Sequence, residues 1–259
     1  MKTIRSRDNP LLKQLVKLSA SSRERRHSGT TILDGEHLIE AYCGAGLPAL
    51  ESIVASESGM QRSAVVALME KAEAKTKAII EDKLLAQISQ VVTSSGILAV
   101  ISTPLPPPMP ENIDAGLYLE EIQDPGNLGS IFRTALAAGV RDVYLSSKCV
   151  FAWSPKVVRA GMGAHFHLAI HENVTLDRLQ AGARGRLLAT QAGGGITLHE
   201  IDLREPTIWM FGNEGAGLSC GAVAIATKKV TIPMVGLTES LNVAAAVAVC
   251  LFEQLRQRH

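Results

Sequence analysis

Residues 207–217 have the sequence Thr-Ile-Trp-Met-Phe-Gly-Asn-Glu-Gly-Ala-Gly, in which an apolar run leads directly into a glycine-rich turn. We predict a strand at Thr207–Phe211, because an apolar run of this length is typical of a strand that is buried on both faces of a parallel sheet. Similar runs alternate with helical patterns after residue 112, and an Ala/Val-rich helix is predicted from Ser240 to about Arg256. This alternation predicts an α/β domain with a parallel sheet. The other strands predicted in this part are Leu117–Glu121, Asp142–Leu145, His167–Ile170, Arg186–Thr190 and Val230–Pro233.

The part of the chain before residue 103 shows the same alternation of strand-like and helix-like patterns. Strands are predicted at Thr30–Leu33, Ser52–Ala55, Lys77–Ile80 and Ile97–Ile101, so we expect a smaller α/β domain that also contains a parallel sheet. Residues 102–112 include five prolines, which lack an amide donor and fix φ, and are therefore typical of an extended linker. We predict an N-terminal domain over residues 1–103, a linker over residues 104–112 and a C-terminal domain over residues 113–259.

The composition excludes several classes of protein. The chain has 259 residues, of which 46% are hydrophobic and 20% are charged, and this usage excludes a wholly disordered chain. The longest apolar runs are shorter than the roughly 18 residues that a membrane helix needs, and the N-terminus has no apolar signal core. The four cysteines are scattered without metal-binding spacing. We therefore predict a cytoplasmic protein without a metal site, a disulfide framework or a membrane partner.

The formal net charge of +1 conceals a strongly basic leading segment. The first 26 residues contain eight basic and two acidic side chains, and Arg23, Arg25 and Arg26 stand at the end of this stretch. Such a segment on a slightly acidic remainder suggests an arm that contacts nucleic-acid phosphates. Leucines recur at helical spacing between residues 11 and 18, so a solvated amphipathic helix is the simpler interpretation.

Three turns that follow predicted strands carry the functional signal. The first contains Asp124-Pro125-Gly126-Asn127, the second is Gly212–Gly217, and the third leads from Ile232 to Asn242. Open α/β sheets bind their ligands at the carboxyl ends of parallel strands, so we expect these turns to form one site. Asn127 and Ser240 can also cap the helices that follow them, and the two roles can coexist.

The second turn indicates the kind of ligand. It lacks the glycine order of a dinucleotide-binding turn and the Gly-Lys-Ser/Thr of a phosphate-binding loop, which disfavours a nicotinamide-dependent oxidoreductase. Glu214 would repel phosphate groups but would tolerate a cationic ligand, and the sulfonium of S-adenosylmethionine is positively charged. The simpler interpretation is a tight connection between a strand and a helix that requires positive φ.

Together the three segments resemble the SpoU (TrmH-like) branch of the SPOUT RNA methyltransferases, which methylate ribose 2′-hydroxyl groups. The first resembles motif one, with Asn127 and Arg133, and the second resembles motif two, with Gly212–Glu214. The third resembles motif three, with Ile232-Pro233-Met234 and Ser240-Leu241-Asn242. Residues from about 30 to 101 are similar to the ribosomal-protein-like substrate-binding domain of the family.

The resemblance implies a fold, a cofactor and an assembly. In SPOUT domains the C-terminal part is tied into a deep trefoil knot, although protein chains are generally unknotted. The cofactor is S-adenosylmethionine, and family members act as homodimers through this domain. The cofactor-binding residues implied for this chain are Thr190, Gly212, Asn213, Ile232 and Leu241.

The resemblance also implies the residues that carry out methyl transfer, namely Arg133, Asn127, Glu214, Ser240 and Asn242. Arginine is effectively always charged in proteins, so we interpret Arg133 as a clamp on phosphate or ribose that stabilises developing oxyanion character. Glu214, a substrate phosphate and water remain alternative proton acceptors.

The implied activity is S-adenosylmethionine-dependent ribose 2′-O-methylation of RNA. Ribosomal RNA is favoured because of the additional N-terminal domain, and the alternatives are a tRNA methyltransferase and a non-catalytic RNA-binding or ribosome-assembly protein. Lys156 and Arg159 are spaced to share a helix face, and they join Arg133 and the arginines of the leading segment as predicted RNA contacts. A solvated helix face is the simpler interpretation of that pair.

Overall fold

A computed structural model describes residues 2–89 and 95–259 of the chain. The fold divides into two compact units. The first unit comprises the chain up to Leu105 together with Trp153–Phe166, and the second comprises Pro106–Ala152 and His167–His259. The domain boundaries predicted from the sequence remain a prediction, and they differ from this division by leaving Trp153–Phe166 with the C-terminal part.

The first unit contains a mixed sheet with helices on it. Its strands are β1 (Lys2–Ile4), β2 (Thr30–Asp34), β3 (Leu50–Ser56), β4 (Ala74–Ile80) and β5 (Ile97–Ser102). Its helices include α1 (Pro10–Ala20), α2 (Ser22–Ser28), α3 (Glu36–Gly44), α4 (Ser63–Lys71) and α5 (Asp82–Leu85). The strand order is β1-β4-β3-β5-β2, and β5 is antiparallel to both of its neighbours. The prediction of a parallel sheet holds for the pairs β1–β4 and β3–β4 and is wrong for both pairs of β5, because a uniformly buried strand such as β5 carries no information about its direction.

Arg25 was predicted to contact RNA, and the structure contradicts this. The residue is only 4% exposed, and its guanidinium donates hydrogen bonds to the carbonyl oxygens of Leu18 and Ser19. These carbonyls lie in the last turn of α1, where the helix itself provides no donors. Arg25 therefore completes the end of α1, while Arg23 and Arg26 in the same helix are exposed.

The second unit contains a sheet in which every strand pair is parallel, as predicted. The helices of this unit are α6 (Pro125–Ala137), α8 (Leu176–Gly182), α9 (Cys220–Ile225) and α10 (Val243–Arg258). Helix α7 (Pro155–Gly161) lies between α6 and α8 in the sequence but belongs to the first unit. The strands are β6 (Gly116–Leu119), β7 (Asp142–Leu145), β8 (Ala169–His171), β9 (Arg186–Thr190), β10 (Ile196–Thr197), β11 (Thr207–Phe211) and β12 (Lys228–Thr231). Their order is β10-β12-β9-β11-β6-β7-β8, with the strongly buried β11 and β6 near the centre.

Two helices of this unit begin at residues other than the predicted caps. Asp124 is the N-cap of α6 and accepts a hydrogen bond from the backbone N–H of Asn127 at 2.8 Å. Asn242 is the N-cap of α10, so this helix begins at Val243 and not at Ser240. The side chains of Asn127 and Ser240 are therefore not used as caps. Among the described residues, no helix is long and apolar enough to cross a membrane.

Candidate active site

The turns that follow β9, β11 and β12 surround a hollow of about 470 Å³. This volume lies in the range of small-molecule binding sites, which are roughly 300–1,000 Å³. All the residues predicted to bind the cofactor line it, namely Thr190, Gly212, Asn213, Ile232 and Leu241. Glu214 and Ser240 line it as well. The second and third of the predicted turns therefore share one hollow at the carboxyl edge of the parallel sheet, whereas the first turn, at residues 124–127, does not line it.

The lining of the hollow favours a ligand with a positive charge and an apolar part. The lining includes the carboxylates of Glu214 and Glu239, and among the described residues it contains no lysine, arginine or histidine. Phe211, Val230 and Met234 supply apolar walls. A phosphate-bearing ligand would be repelled by the two carboxylates, whereas a cation would be attracted to them.

The glycine-rich turn after β11 folds back on itself. The backbone N–H of Asn213 donates to the carbonyl oxygen of Gly217 at 3.1 Å, and the N–H of Gly217 donates back at 2.8 Å. A Cβ atom on Gly212 would overlap the backbone of Gly217 and Leu218, so only glycine fits there. Gly217 has a φ of +70°, which also favours glycine. The turn can thus bring main-chain groups close to a ligand.

The side chain of Asn213 fastens this turn to the end of the neighbouring strand. Its Oδ1 accepts hydrogen bonds from the backbone N–H groups of Gly215 and Ala216, and its Nδ2 donates to the carbonyl oxygen of Glu121 at 2.9 Å. Glu121 has a φ of +56° and forms an ion pair with Lys148 at 2.7 Å. The hydrogen bond from Lys148 to Glu121 raises the pKa of the lysine above its usual value.

A chain of three polar side chains brings the predicted catalytic motifs together. Asn242 Nδ2 donates to Asn127 Oδ1 at 2.9 Å, and Asn127 Nδ2 donates to Glu214 Oε1 at 2.8 Å. Asn242 Oδ1 accepts hydrogen bonds from the first N–H groups of α10, and this contact fixes the orientation of its amide. The donor and the acceptor of both hydrogen bonds between these three side chains are therefore determined, and Glu214 is the final acceptor.

Asn127 and Asn242 do not line the hollow themselves, and the remaining predicted residues also lie outside its lining. Arg133 is exposed on α6, six residues after Asn127, and its side chain has no hydrogen-bond partner within the part of the chain that the structure describes. Lys156 is exposed and Arg159 is half-buried on α7 in the first unit, where Arg159 Nη1 has no partner among the described residues.

Sequence reasoning missed several residues that line the hollow. Gln191 follows Thr190 directly, and Glu239 precedes Ser240, so their positions beside predicted site residues were the available signal. Phe211 was assigned only to a strand, although it is the last strand residue before the glycine-rich turn. Over the described residues, no three His, Cys, Asp or Glu side chains form a group that could hold a metal ion.

Residues 114–252 match the SpoU rRNA Methylase family, and residues 9–99 match the MRM3-like substrate binding domain. The chain belongs to the SpoU rRNA methylase family. This SpoU protein is 36% identical to an uncharacterized tRNA/rRNA methyltransferase of Synechocystis, over 99% of this chain and 94% of the relative. It is also 30% identical to the 23S rRNA (guanosine(2553)-2′-O)-methyltransferase RlmP of Bacillus subtilis, over 97% of this chain and 98% of that protein.

A solved structure of another SpoU methyltransferase is similar to this protein over nearly its whole length. The SpoU methyltransferase AviRb from Streptomyces viridochromogenes, crystallised in complex with the cofactor AdoMet, superposes on this SpoU protein with a TM-score of 0.85. The two chains are 25% identical, and the match covers 96% of this chain and 98% of AviRb. The family assignment made from the three motifs is confirmed.

Proposed function

We propose that this protein transfers a methyl group from S-adenosylmethionine to a ribose 2′-hydroxyl of ribosomal RNA. The observation that carries the proposal is that the turns of motifs two and three line one hollow, and that Asn127 of motif one is hydrogen-bonded to both of them through Glu214 and Asn242. RlmP, which is similar over nearly its whole length, is a 23S rRNA 2′-O-methyltransferase by name, and this supports ribosomal RNA as the substrate class.

The hollow suits S-adenosylmethionine, which supplies an electrophilic methyl group on a positively charged sulfur. Thr190, Ile232 and Leu241 lie on its walls, and the turn at Gly212 and Asn213 offers main-chain groups for hydrogen bonds. The carboxylates that line the hollow compensate the positive charge of the sulfonium. AviRb was crystallised with this cofactor, which supports the same assignment.

The side chains around the hollow position the ribose and handle its proton. Displacement at a methyl group requires the attacking oxygen, the carbon and the sulfur to be nearly collinear. Asn127 holds one carboxylate oxygen of Glu214, so the other can accept a hydrogen bond from the ribose hydroxyl. Ser240 lies at the same hollow and offers a further hydroxyl. The guanidinium of Arg133 stabilises the negative charge that develops on the ribose oxygen.

Mapping of ribose methylation in cellular RNA tests this function. We expect one 2′-O-methyl group to disappear from ribosomal RNA when the gene is deleted and to return when the wild-type protein is supplied. Asn242→Asp should restore it at least tenfold less efficiently, because aspartate still caps α10 but cannot donate to Asn127. Loss of a tRNA methyl group would redirect the substrate assignment. An unchanged RNA methylation pattern would support a non-catalytic RNA-binding protein instead.

We further propose that the first unit binds RNA phosphates through Arg23, Arg26 and Lys156, which are exposed. Replacing Arg23 and Arg26 together with alanine should weaken RNA binding and lower the salt-dependence slope of the affinity by about 1.5–2, because each phosphate contact releases counterions. Filter binding over a series of salt concentrations measures this slope. Lys75, which is paired with Glu51 on the same unit, provides the control for loss of a surface charge.

Arg25→Ala is expected to behave differently from these variants. Removing its guanidinium leaves the carbonyl oxygens at the end of α1 unpaired, so we expect the free energy of unfolding to fall by about 1–3 kcal/mol. The salt-dependence slope of the folded variant should stay that of the wild type. A reduced slope for Arg25→Ala and an unchanged one for the Arg23, Arg26 double variant would contradict this assignment.

We also propose that the protein forms a homodimer through its second unit. Val249 and Phe252 are 39% and 47% exposed on α10, and an apolar partner surface would cover them. A substrate in ribosomal RNA would place the protein in the cytoplasm. The trefoil knot remains a prediction from the family resemblance.

A further inference from the structure

Glu120 is a buried carboxylate at the carboxyl edge of the second sheet. It directly follows β6, it is 7% exposed, and its backbone N–H donates to the carbonyl oxygen of Phe211 at 2.9 Å. A carboxylate in such a place costs free energy unless hydrogen bonds satisfy its oxygens. No motif discussed above includes this residue.

Both oxygens of Glu120 are satisfied by a single residue. Oε2 accepts a hydrogen bond from the backbone N–H of Ser219 at 2.7 Å, and Oε1 accepts one from Ser219 Oγ at 2.8 Å. Ser219 is also the N-cap of α9, because its Oγ accepts from the N–H of Ala222 at 3.2 Å. Hydrogen bonds to a carboxylate are stronger than those between neutral groups, so Ser219 is held firmly.

This contact bears on the cofactor site because of where Ser219 stands. Residues 212–218 line the hollow, and Ser219 is the next residue along the chain. The start of the same segment is held by the hydrogen bond from Asn213 Nδ2 to the carbonyl oxygen of Glu121. Glu120 and Glu121, which follow β6, therefore hold the two ends of the glycine-rich turn. Glu120 holds Ser219 through its side chain, and Glu121 holds Asn213 through its backbone carbonyl oxygen.

We propose that Glu120 is a positioning residue for the cofactor, acting through Ser219 to hold residues 212–218 in the conformation that binds S-adenosylmethionine. This inference rests on the function proposed above, since it takes S-adenosylmethionine as the occupant of the hollow. A turn rich in glycine has many accessible conformations when released. If the turn had to become ordered upon binding, the free-energy cost of ordering would lower the apparent affinity for the cofactor. The contact between Glu120 and Ser219 avoids this cost because it orders the turn beforehand.

Two variants of Ser219 that match in size separate this role from helix capping. Asparagine and aspartate are both good N-caps for α9. The asparagine side chain in Ser219→Asn would still offer an N–H donor to Glu120, whereas Ser219→Asp places a second carboxylate against it. We expect calorimetric titration to show S-adenosylmethionine binding about tenfold or more weaker for Ser219→Asp and within about threefold of wild type for Ser219→Asn.

An exchange of donor and acceptor completes the test. In the double variant Glu120→Gln, Ser219→Asp, the glutamine amide can donate to the aspartate, so the affinity should return to within about threefold of wild type. Equal affinities of Ser219→Asp and Ser219→Asn, or a double variant no tighter than Ser219→Asp, would overturn the role of Glu120. Failure of the wild-type protein to bind S-adenosylmethionine would instead overturn the proposed function.

Discussion

Replacing Arg133 with alanine is expected to slow methyl transfer by about 10²–10³-fold, while S-adenosylmethionine binds with unchanged affinity. Arg133 is exposed and lies outside the lining of the hollow, so its removal leaves the cofactor contacts intact. A guanidinium is a hydrogen-bond donor without an acceptor atom, which suits stabilisation of a developing oxyanion and not proton abstraction. Single-turnover transfer of a labelled methyl group to RNA measures the rate, and calorimetry measures the cofactor affinity.

Arg141 provides the matched control for Arg133. It is an exposed arginine of the same unit that directly precedes β7, at the amino edge of the sheet and therefore opposite the turns of the site. Arg141→Ala should retain the wild-type rate within about threefold, because an exposed charge contributes little and the hydrogen bond from Arg141 Nη1 to the carbonyl oxygen of His167 is long, at 3.5 Å. Arg133→Lys keeps the charge but loses the planar fork, so a rate between those of wild type and Arg133→Ala is expected. Turnover of Arg133→Ala at the wild-type rate would remove Arg133 from the mechanism.

The site in the second unit could be predicted because its sheet follows a simple rule. Buried parallel strands are continuous apolar runs, and the predicted bounds of Arg186–Thr190 and Thr207–Phe211 agree with β9 and β11. Turns at the carboxyl ends of parallel strands meet at one edge, so the residues after these strands share a hollow. The motif resemblance then supplied the chemistry that periodicity alone does not contain.

Other features depend on tertiary contacts that the local sequence does not record. The buried run of β5 has the same pattern in a parallel and in an antiparallel neighbourhood, so its direction could not be derived. Arg25 has the same residue type as Arg23 and Arg26, so the sequence does not distinguish it from them. It is buried because its guanidinium donates to carbonyl oxygens at the end of α1. The N-cap of α6 could have been predicted from the sequence, since Asp124 precedes a proline at the first helical position.

The division of the chain into two units could not be predicted from the local sequence either. Trp153–Phe166 lies within the stretch that matches the SpoU family, yet it packs in the first unit. Thr31 Oγ1 donates to the carbonyl oxygen of Trp153 at 2.6 Å, and the rings of Tyr42 and Phe166 meet edge to face at 5.3 Å. Contacts between residues more than 100 positions apart decide this arrangement. For this reason Lys156, which lies in α7, is grouped with the RNA contacts of the first unit in the proposal above.

Replacing Gly212 with valine is expected to reduce the affinity for S-adenosylmethionine by at least about 100-fold, which is roughly 2.7 kcal/mol. A Cβ atom at this position overlaps the backbone of Gly217 and Leu218, so the turn must open and its main-chain groups must leave the hollow. Backbone cannot move aside as a flexible side chain can, and the loss of the closed turn is therefore complete. Calorimetry measures the affinity, and circular dichroism with thermal unfolding shows whether the remainder of the fold is retained.

Gly215 offers a control in the same turn. A Cβ atom there would meet only Asn213 Oδ1, at an ordinary contact distance of 3.6 Å, and the backbone does not adopt a positive φ. Gly215→Ala should therefore bind S-adenosylmethionine within about threefold of wild type, although it also removes a glycine from the turn. If both variants bind equally well, the closed geometry at Gly212 is not what the cofactor requires. If only Gly212→Val loses affinity while its unfolding temperature stays near that of Gly215→Ala, the overlap at this one Cβ position is the cause.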